Sequence, residues 1–373
     1  MRKIAILCGK YLPGFKDGGP VRTLINITEC LGDEYDFKII TGDRDHGDTE
    51  PYPNITYDAP NRVGKADVWY LPPKGFTFKK IKQLTKDVDV IYCFGPYDGY
   101  SCKSMILKRF GKIKQPLVIA SMGTFSKGAL GIKSFKKKLF FRVCKFFGLF
   151  KRVVWSVTSK IEEQDVKRVV GDNAKCYIAE DLPRKIPEYN AIKEEGPLRI
   201  IFLSRICKIK NLLYAIEVLS KIKENVIFDV YGTIEDKEYW LECEKELKRL
   251  PSNIKWSYNG VVPTDKVLEI FSKYDVFMLP TLGENYGHVI YESLASGGIP
   301  VISDRTPWRN FEELKCGYVI SLDNKEEFID RIRILANMPK NEIKLMSENA
   351  YALAKEKCES SLKNTGYREI FGL

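Results

Sequence analysis

The sequence predicts an α/β protein built from two Rossmann-like, doubly wound parallel-sheet domains that face each other across a cleft. Three observations lead there. Strand-length segments such as KIAILC, VDVIYCF, LRIIFLS and DVFMLP are near-continuous apolar runs rather than alternating ones, which marks strands covered on both faces. Helix-length segments separate them, as strand–helix–strand units require. The rhythm also runs through twice, in a chain of 373 residues that is too long for one ordinary core.

The first half supplies the strand candidates KIAILC, DFKIIT, VDVIYCF, PLVIAS and VVWSVTS. The opening MRKIAILCGKYLPG reads as a first buried strand rather than a secretory leader, because its apolar run from Ile4 to Cys8 is short and Lys10 follows it. Polar RKIPEYNAIKEEG, Arg184 to Gly196, with its proline and glycine, reads as a linker. The second half restarts with LRIIFLS, a helix from about Asn211 to Lys223, VIFDVYG, a helix through Trp240, NIKWSYNG, DVFMLP and IPVISD. The expected division is 1–185, 186–355 and a final segment 356–373. No segment reaches the roughly 18 uncharged apolar residues of a spanning helix. Ten scattered cysteines form no C-x-x-C pair, which argues against zinc and suits free thiols in a reducing cytosol. The expected location is cytoplasmic.

The charge is uneven. From Gly99 to Ile161 there are fifteen lysines and arginines and no acidic residue, more than the whole chain's net charge of +11, so the remainder is mildly acidic. Within this stretch, residues 132 to 155 show a helical rhythm. Phe135, Leu139, Val143, Phe146, Phe147 and Phe150 fall on one side, and Lys137, Lys138, Lys145 and Arg152 on the other. A helix with one basic and one aromatic side predicts peripheral binding to an anionic membrane surface. The plain alternative is a helix whose phenylalanines pack on its own domain. No nucleic-acid-binding module accompanies the charge, and no nucleic acid is expected as a partner.

The densest chemistry lies in GENYGHVIYESLASGGIPVISD, Gly283 to Asp304. A helix starting after Gly287 and stopping at Gly297-Gly298 separates a loop from a buried strand. In the other strand-to-helix segment, FLSRICKIKN, Ser204 ends a strand, Arg205 follows it, and Lys210 comes five residues later. In open parallel sheets such loops share the carboxyl edge. Two cations thus meet a helix N-terminus whose N–H groups, from Gly287 to Val289, favour anions: a cradle for a diphosphate. Glu284 and Glu292 suit hydroxyl partners, because a carboxylate accepts from both hydroxyls of a vicinal diol. A diphosphate flanked by two polyols is a nucleotide sugar.

Ser204-Arg205, Lys210-Asn211, Gly283-Glu284-Asn285-Tyr286-Gly287-His288 and Glu292 resemble the family 4 retaining glycosyltransferases of GT-B fold, the group 1 glycosyl transferases. PGFKDGGPVRTLINI, containing Gly18 and Gly19, looks like that family's N-terminal glycine loop. MGTFSKGALGIKSFKKKLF resembles a segment of surface-polysaccharide transferases, and SLKNTGYREIFGL resembles the helix that crosses back to the N-terminal domain. The resemblance implies an acceptor-binding domain over 1–185 and a donor-binding domain over 186–355. Arg205 and Lys210 would hold the diphosphate, Glu292 the ribose, and Glu284 the sugar near its anomeric carbon. The backbone at Gly260, Val261 and Val262 would border the base, with Asn285, Tyr286, Gly287, His288 and Val289 passing beside sugar and phosphates. Arg205, Lys210 and Glu284 are the implied catalytic groups.

The implied reaction moves a sugar, with retention, from a nucleoside-diphosphate sugar of the UDP type. The implied acceptor is a lipid-linked or other glycan in cell-surface polysaccharide biosynthesis, at the inner face of the membrane. Transfer to a soluble acceptor and nucleotide-sugar epimerisation are the alternatives. No cofactor or metal is expected, because Arg205, Lys210 and the helix dipole do the work of a divalent ion. The D-x-D of GDRDHGD, Asp43 and Asp45 beside His46, is expected to be a loop lining the acceptor side rather than a metal site.

Overall fold

The computed structural model describes residues 1–16, 18–126, 134–191 and 195–373; between 134 and 138 the only side chain described is that of Lys137. The chain forms two compact units, residues 1–182 with 361–373, and residues 183–360.

The first unit carries β1 (Arg2–Leu7), α1 (Gly19–Leu31), β2 (Tyr35–Gly42), β3 (Asn61–Val63), β4 (Ala66–Leu71), α2 (Phe78–Leu84), β5 (Val90–Phe94), α3 (Gly99–Arg109), β6 (Leu117–Ala120), α4 (Ser134–Phe146), β7 (Val153–Val157), α5 (Lys160–Val170) and β8 (Lys175–Ile178). Its eight strands are ordered β3-β4-β2-β1-β5-β6-β7-β8, with only the β3–β4 pair antiparallel. Alternate residues of β1 serve two different cores. Ile4 and Ile6 join Leu24, Ile27 and Leu31 of α1 on one face, and Ala5 and Leu7 join Met105 and Phe141 on the other. That two-sided burial is what the unbroken apolar run of β1 encodes.

The second unit carries β9 (Leu198–Leu203), α6 (Leu212–Leu219), β10 (Val226–Tyr231), α7 (Lys237–Leu247), β11 (Ile254–Tyr258), α8 (Val267–Phe271), β12 (Val276–Leu279), α9 (His288–Ala295), β13 (Ile299–Ser303), β14 (Tyr318–Ile320), α10 (Lys325–Ala336) and most of α11 (Lys340–Lys363). Its six strands, all parallel, are ordered β11-β10-β9-β12-β13-β14. Side-chain caps start several helices: Asp236 accepts from Tyr239 N at α7, and Asn324 from Glu327 N at α10.

Two expectations need correction. The strands β3, β4, β8 and β14 are additional to those read from the sequence. The helix expected over 132 to 155 ends at Phe146, because Gly148 takes a left-handed turn (φ 63°) and residues 153–157 are strand β7. Ile132 and the side chains of Phe135 and Lys138 lie outside the described residues. Phe150 is buried against Trp155 and Phe141, so it belongs to the core and not to the outer aromatic side.

After α11 the chain re-enters the first unit as α12 (Tyr367–Phe371). Phe371 packs on Tyr35, Phe37 and Tyr92, with ring centroids 5.4, 5.7 and 5.9 Å away. Arg368 clasps Glu34 with two hydrogen bonds of 2.8 Å and holds that carboxyl below its ordinary range. Phe371→Ala should therefore destabilise the first unit by about 3–5 kcal/mol, read as a lowered urea midpoint. Glu34→Gln should cost less than about 1 kcal/mol, because both partners are well exposed. Glu34 titrates lower in the folded state, so its contribution is present above the ordinary carboxylate range. It fades as pH falls through the folded value.

Candidate functional site

In the second unit the candidate residues follow the carboxyl ends of β9, β11 and β12. Ser204 leaves β9 and donates its N–H to Tyr231 O (3.1 Å), Ile206 N reaches Thr233 O (2.8 Å), and Gly232 N reaches Gly260 O (2.8 Å). These bonds stitch the loops after β9, β10 and β11 together. Gly232, at φ 139°, lies so close to Ser204 that a Cβ would fall 1.7 Å from the Ser204 carbonyl oxygen. Only glycine permits that approach.

Arg205 is exposed and pairs with Glu235 at 2.5 Å. Beyond it, a 3-10 turn, Lys208–Lys210, ends at Asn211, which takes the left-handed conformation (φ 60°) and donates its amide to Pro280 O (3.0 Å). The turn also receives Leu282 N and Thr281 Oγ1 at Ile209 O (2.7 and 3.0 Å). The β9–α6 and β12–α9 loops are thus one hydrogen-bonded body. Lys210 and Glu284, one from each loop, form an ion pair of 2.5 Å with side chains only 10% and 13% exposed. The sequence reading set Lys210 on phosphate and Glu284 on sugar; the structure brings the two onto each other.

The helix α9 begins as expected at Gly287, whose φ of 78° is a left-handed cap. All eight of its residues are buried, Glu292 and His288 among them. The rings of Tyr286 and His288 lie 4.7 Å apart. Asn285 is exposed; Val289 is buried; Val261 is exposed and Val262 half-buried after the open turn at Gly260. Absent from the sequence reading was the segment after β13. There Arg305 O accepts Glu284 N (3.1 Å), and the Trp308 indole N–H donates to Tyr286 O (2.7 Å). The only outward signal was a tryptophan beside a proline on a loop, TPWRN.

In the first unit, Gly18 (φ 63°) leads into α1 at Gly19, with a proline in the first turn. A Cβ at either glycine would meet nothing within 4 Å. Asp45 anchors this loop: its carboxylate accepts the N–H of Phe15 (2.8 Å), Lys16 (3.2 Å) and His46 (2.7 Å). Asp43 accepts from Arg44 Nε (2.8 Å) and Tyr57 OH (2.7 Å). Burial pushes the Asp43 carboxyl up, but those bonds outweigh it and hold the group below its usual range. Both carboxylates of the D-x-D therefore serve protein donors. Among the described residues, no three His, Cys, Asp or Glu gather as a metal-binding group. At the end of β6, Met122 and Gly123 both take positive φ, and Glu162 holds the turn by accepting from Gly123 N and from Thr158 N (2.6 Å).

The helix α4 buries Phe141 and Cys144 but leaves Phe146 85% exposed, with Leu139 and Val143 also outward, and Phe147 just past its end is 57% exposed. Phe110, at the end of α3, is 67% exposed, and Arg109 Nε donates to Phe147 O (3.3 Å), so the helix ends meet. Arg142, Lys145, Lys151 and Arg152 are exposed around these aromatics. No described helix is long and apolar enough to cross a membrane.

Sucrose-phosphate synthase from Thermosynechococcus elongatus matches with a TM-score of 0.71 at 14% identity, over 100% of both chains. Anabaena Alr3699/HepE, in complex with UDP-glucose, matches at 0.70 and 14% identity, again over 100% of both. WaaG, a glycosyltransferase involved in lipopolysaccharide biosynthesis, matches at 0.63 and 15% identity, over 96% of this chain and 98% of its own. The fold is GT-B. Residues 185–353 match the family model described as Glycosyl transferases group 1, which supports a group 1 glycosyltransferase. No curated protein sequence matches the chain.

The anchoring role of Asp45 is open to measurement. Asp45→Ala strips three N–H groups of their acceptor and should cost about 1.5–3 kcal/mol of stability in the first unit. Calorimetry should show no difference in manganese binding between this variant and the unaltered chain.

Proposed function

We propose that this chain is a retaining glycosyltransferase that moves a sugar from a UDP-sugar to a glycan or lipid-linked acceptor in cell-surface polysaccharide synthesis. One observation carries the proposal: Arg205, Lys210, Glu284, Glu292 and the start of α9 all belong to loops or a helix at the carboxyl edge of the second sheet. The donor's leaving group is a nucleoside diphosphate, whose negative charge grows as the anomeric bond breaks. Cations and helix N–H groups already fixed in place stabilise that charge without reorganising. Lys210 then exchanges Glu284 for phosphate, and Glu284 takes sugar hydroxyls as donors in its turn. Glu292 holds the ribose diol, and Val261 and Val262 border the base. The reaction runs without a metal ion, since fixed cations supply the charge and the Asp43 and Asp45 carboxylates are spent on protein donors.

Arg205→Ala and Lys210→Ala should each lower kcat by about 10²–10³. Glu292→Ala should chiefly raise the KM for donor, whereas Glu284→Ala should also lose turnover. Near-normal turnover in Arg205→Ala or Lys210→Ala, measured as UDP release with acceptor present, removes the cradle assignment. UDP-sugar conversion without acceptor would mark an epimerase instead.

The enzyme works in the cytoplasm at the inner face of the membrane, and α4 is its contact with anionic lipid. The supporting observation is the outward Phe146 and Phe147 among exposed Arg142, Lys145, Lys151 and Arg152. Lysines and arginines contribute about 1 kcal/mol each near such a surface, an attraction that salt screens, while the rings contribute burial that salt leaves intact. Arg142→Glu with Lys145→Glu should abolish sedimentation with phosphatidylserine vesicles at low salt. Phe146→Ser with Phe147→Ser should weaken it at every salt concentration without lowering Tm. Unaltered protein that ignores those vesicles would leave a soluble acceptor as the reading.

A further inference from the structure

The segment following β13, Asp304 to Phe311, carries no motif, yet it grips the loop before α9 at two points. Arg305 O accepts Glu284 N (3.1 Å), and Trp308 Nε1 donates to Tyr286 O (2.7 Å). Trp308 is only 8% exposed and is itself braced. Its ring lies 5.9 Å from that of Phe311 and 6.2 Å from that of Tyr286, and the Trp308 backbone N–H donates to Thr306 Oγ1 (3.3 Å). Arg309 ties the segment to itself through the carbonyls of Asp304 (3.1 Å), Trp308 (2.5 Å) and Thr306.

The grip has a directional consequence. The peptide between Tyr286 and Gly287 is planar and trans, so its carbonyl and its N–H point opposite ways. Fixing Tyr286 O on the indole therefore aims the Gly287 N–H away from Trp308. A carbonyl dipole turned toward an anion repels it, and an N–H attracts it, so one hydrogen bond decides which end of this peptide an anion meets. Gly287 cannot escape by acquiring a side chain. A Cβ there would lie 3.2 Å from Trp308 Nε1 and 2.9 Å from Ile290 Cδ1, at a φ of 78°.

We propose that Trp308 is a positioning residue which, through the Tyr286 carbonyl, orients the Gly287 N–H to donate to the diphosphate of the nucleotide-sugar donor. This rests on the donor-site reading above. Trp308 itself touches no reacting atom.

Binding of UDP and of uridine, measured separately by titration, tests the proposal. Trp308→Phe keeps an aromatic ring and removes the N–H. It should weaken UDP about fivefold, the worth of one net hydrogen bond, and leave uridine unchanged. Trp308→His, which retains a ring N–H, should recover part of the UDP loss. A residue that only supported the fold would weaken both ligands alike, and that result, or unchanged UDP binding, overturns the proposal. If Trp308→Phe fails to fold, Phe311→Leu loosens the ring while keeping its N–H, and a loss confined to UDP is again expected. Unaltered protein that binds neither UDP nor uridine overturns the donor-site reading itself, and this proposal with it.

Discussion

Parallel strands share one direction, so every strand-to-helix loop of a parallel sheet emerges at the same edge. In the second unit this constraint alone brings Ser204, Gly232 and Thr281 into hydrogen-bonded neighbourhood, though 28 and 72 residues separate the partners Gly232–Gly260 and Ile209–Thr281. The helices that return the chain keep the strands covered on both faces, and that cover forces the strand sequences to be apolar throughout. The polar residues then have only the edges on which to collect. A site at the carboxyl edge is the remainder left when burial has claimed everything else.

How far this was legible in the sequence depends on the kind of signal. DVFMLP followed by GENYGHVIYES could be read, because a buried strand needs only apolar residues and Gly287 marks a helix boundary by its conformational freedom. The strands KCYI and YVI could not: their apolar runs are only three residues long, and the first has both ends exposed. The overlong helix reading arose because Phe150 sits at helical spacing from Phe146 and Phe147, although Gly148 reverses the chain between them. The spacing of Asp43 and Asp45 resembles a ligand pair, but hydrogen bonds to the backbone of Phe15 and Lys16 lie 30 and 29 residues away in sequence. Trp308 was illegible for the same reason, since its partner carbonyl stands 22 residues earlier.

The Lys210–Glu284 pair shows how charge is kept inside this edge. Each group is largely withdrawn from water, so each needs the other; a buried charge stripped of its partner costs about 3–5 kcal/mol. Arg205 and Glu235 make the contrasting case, a pair at similar distance but well exposed, whose strength water and salt divide away. Under the proposed function the two cations therefore differ in kind. Lys210 gives up a partner to meet phosphate, and Glu284 must find hydroxyls at the same moment, whereas Arg205 can turn to the ligand at little expense.

The docking of α12 onto the first sheet bears on how the protein is made. Arg2 donates to Gly372 O (2.9 Å), a contact spanning 370 residues, and Phe371 sits on Phe37 and Tyr92. A ribosome delivers β1 before the second unit and α12 after it. Throughout synthesis, the seam that Phe371 will cover on β2 and β5 stays without its final layer, while the second unit is already complete in sequence by residue 360. The second unit can close as it is translated, but the first must wait for α12, which follows the whole second unit in sequence. Until then the apolar seam on β2 and β5 lacks its cover, and uncovered apolar surface is what makes partly folded chains prone to aggregate.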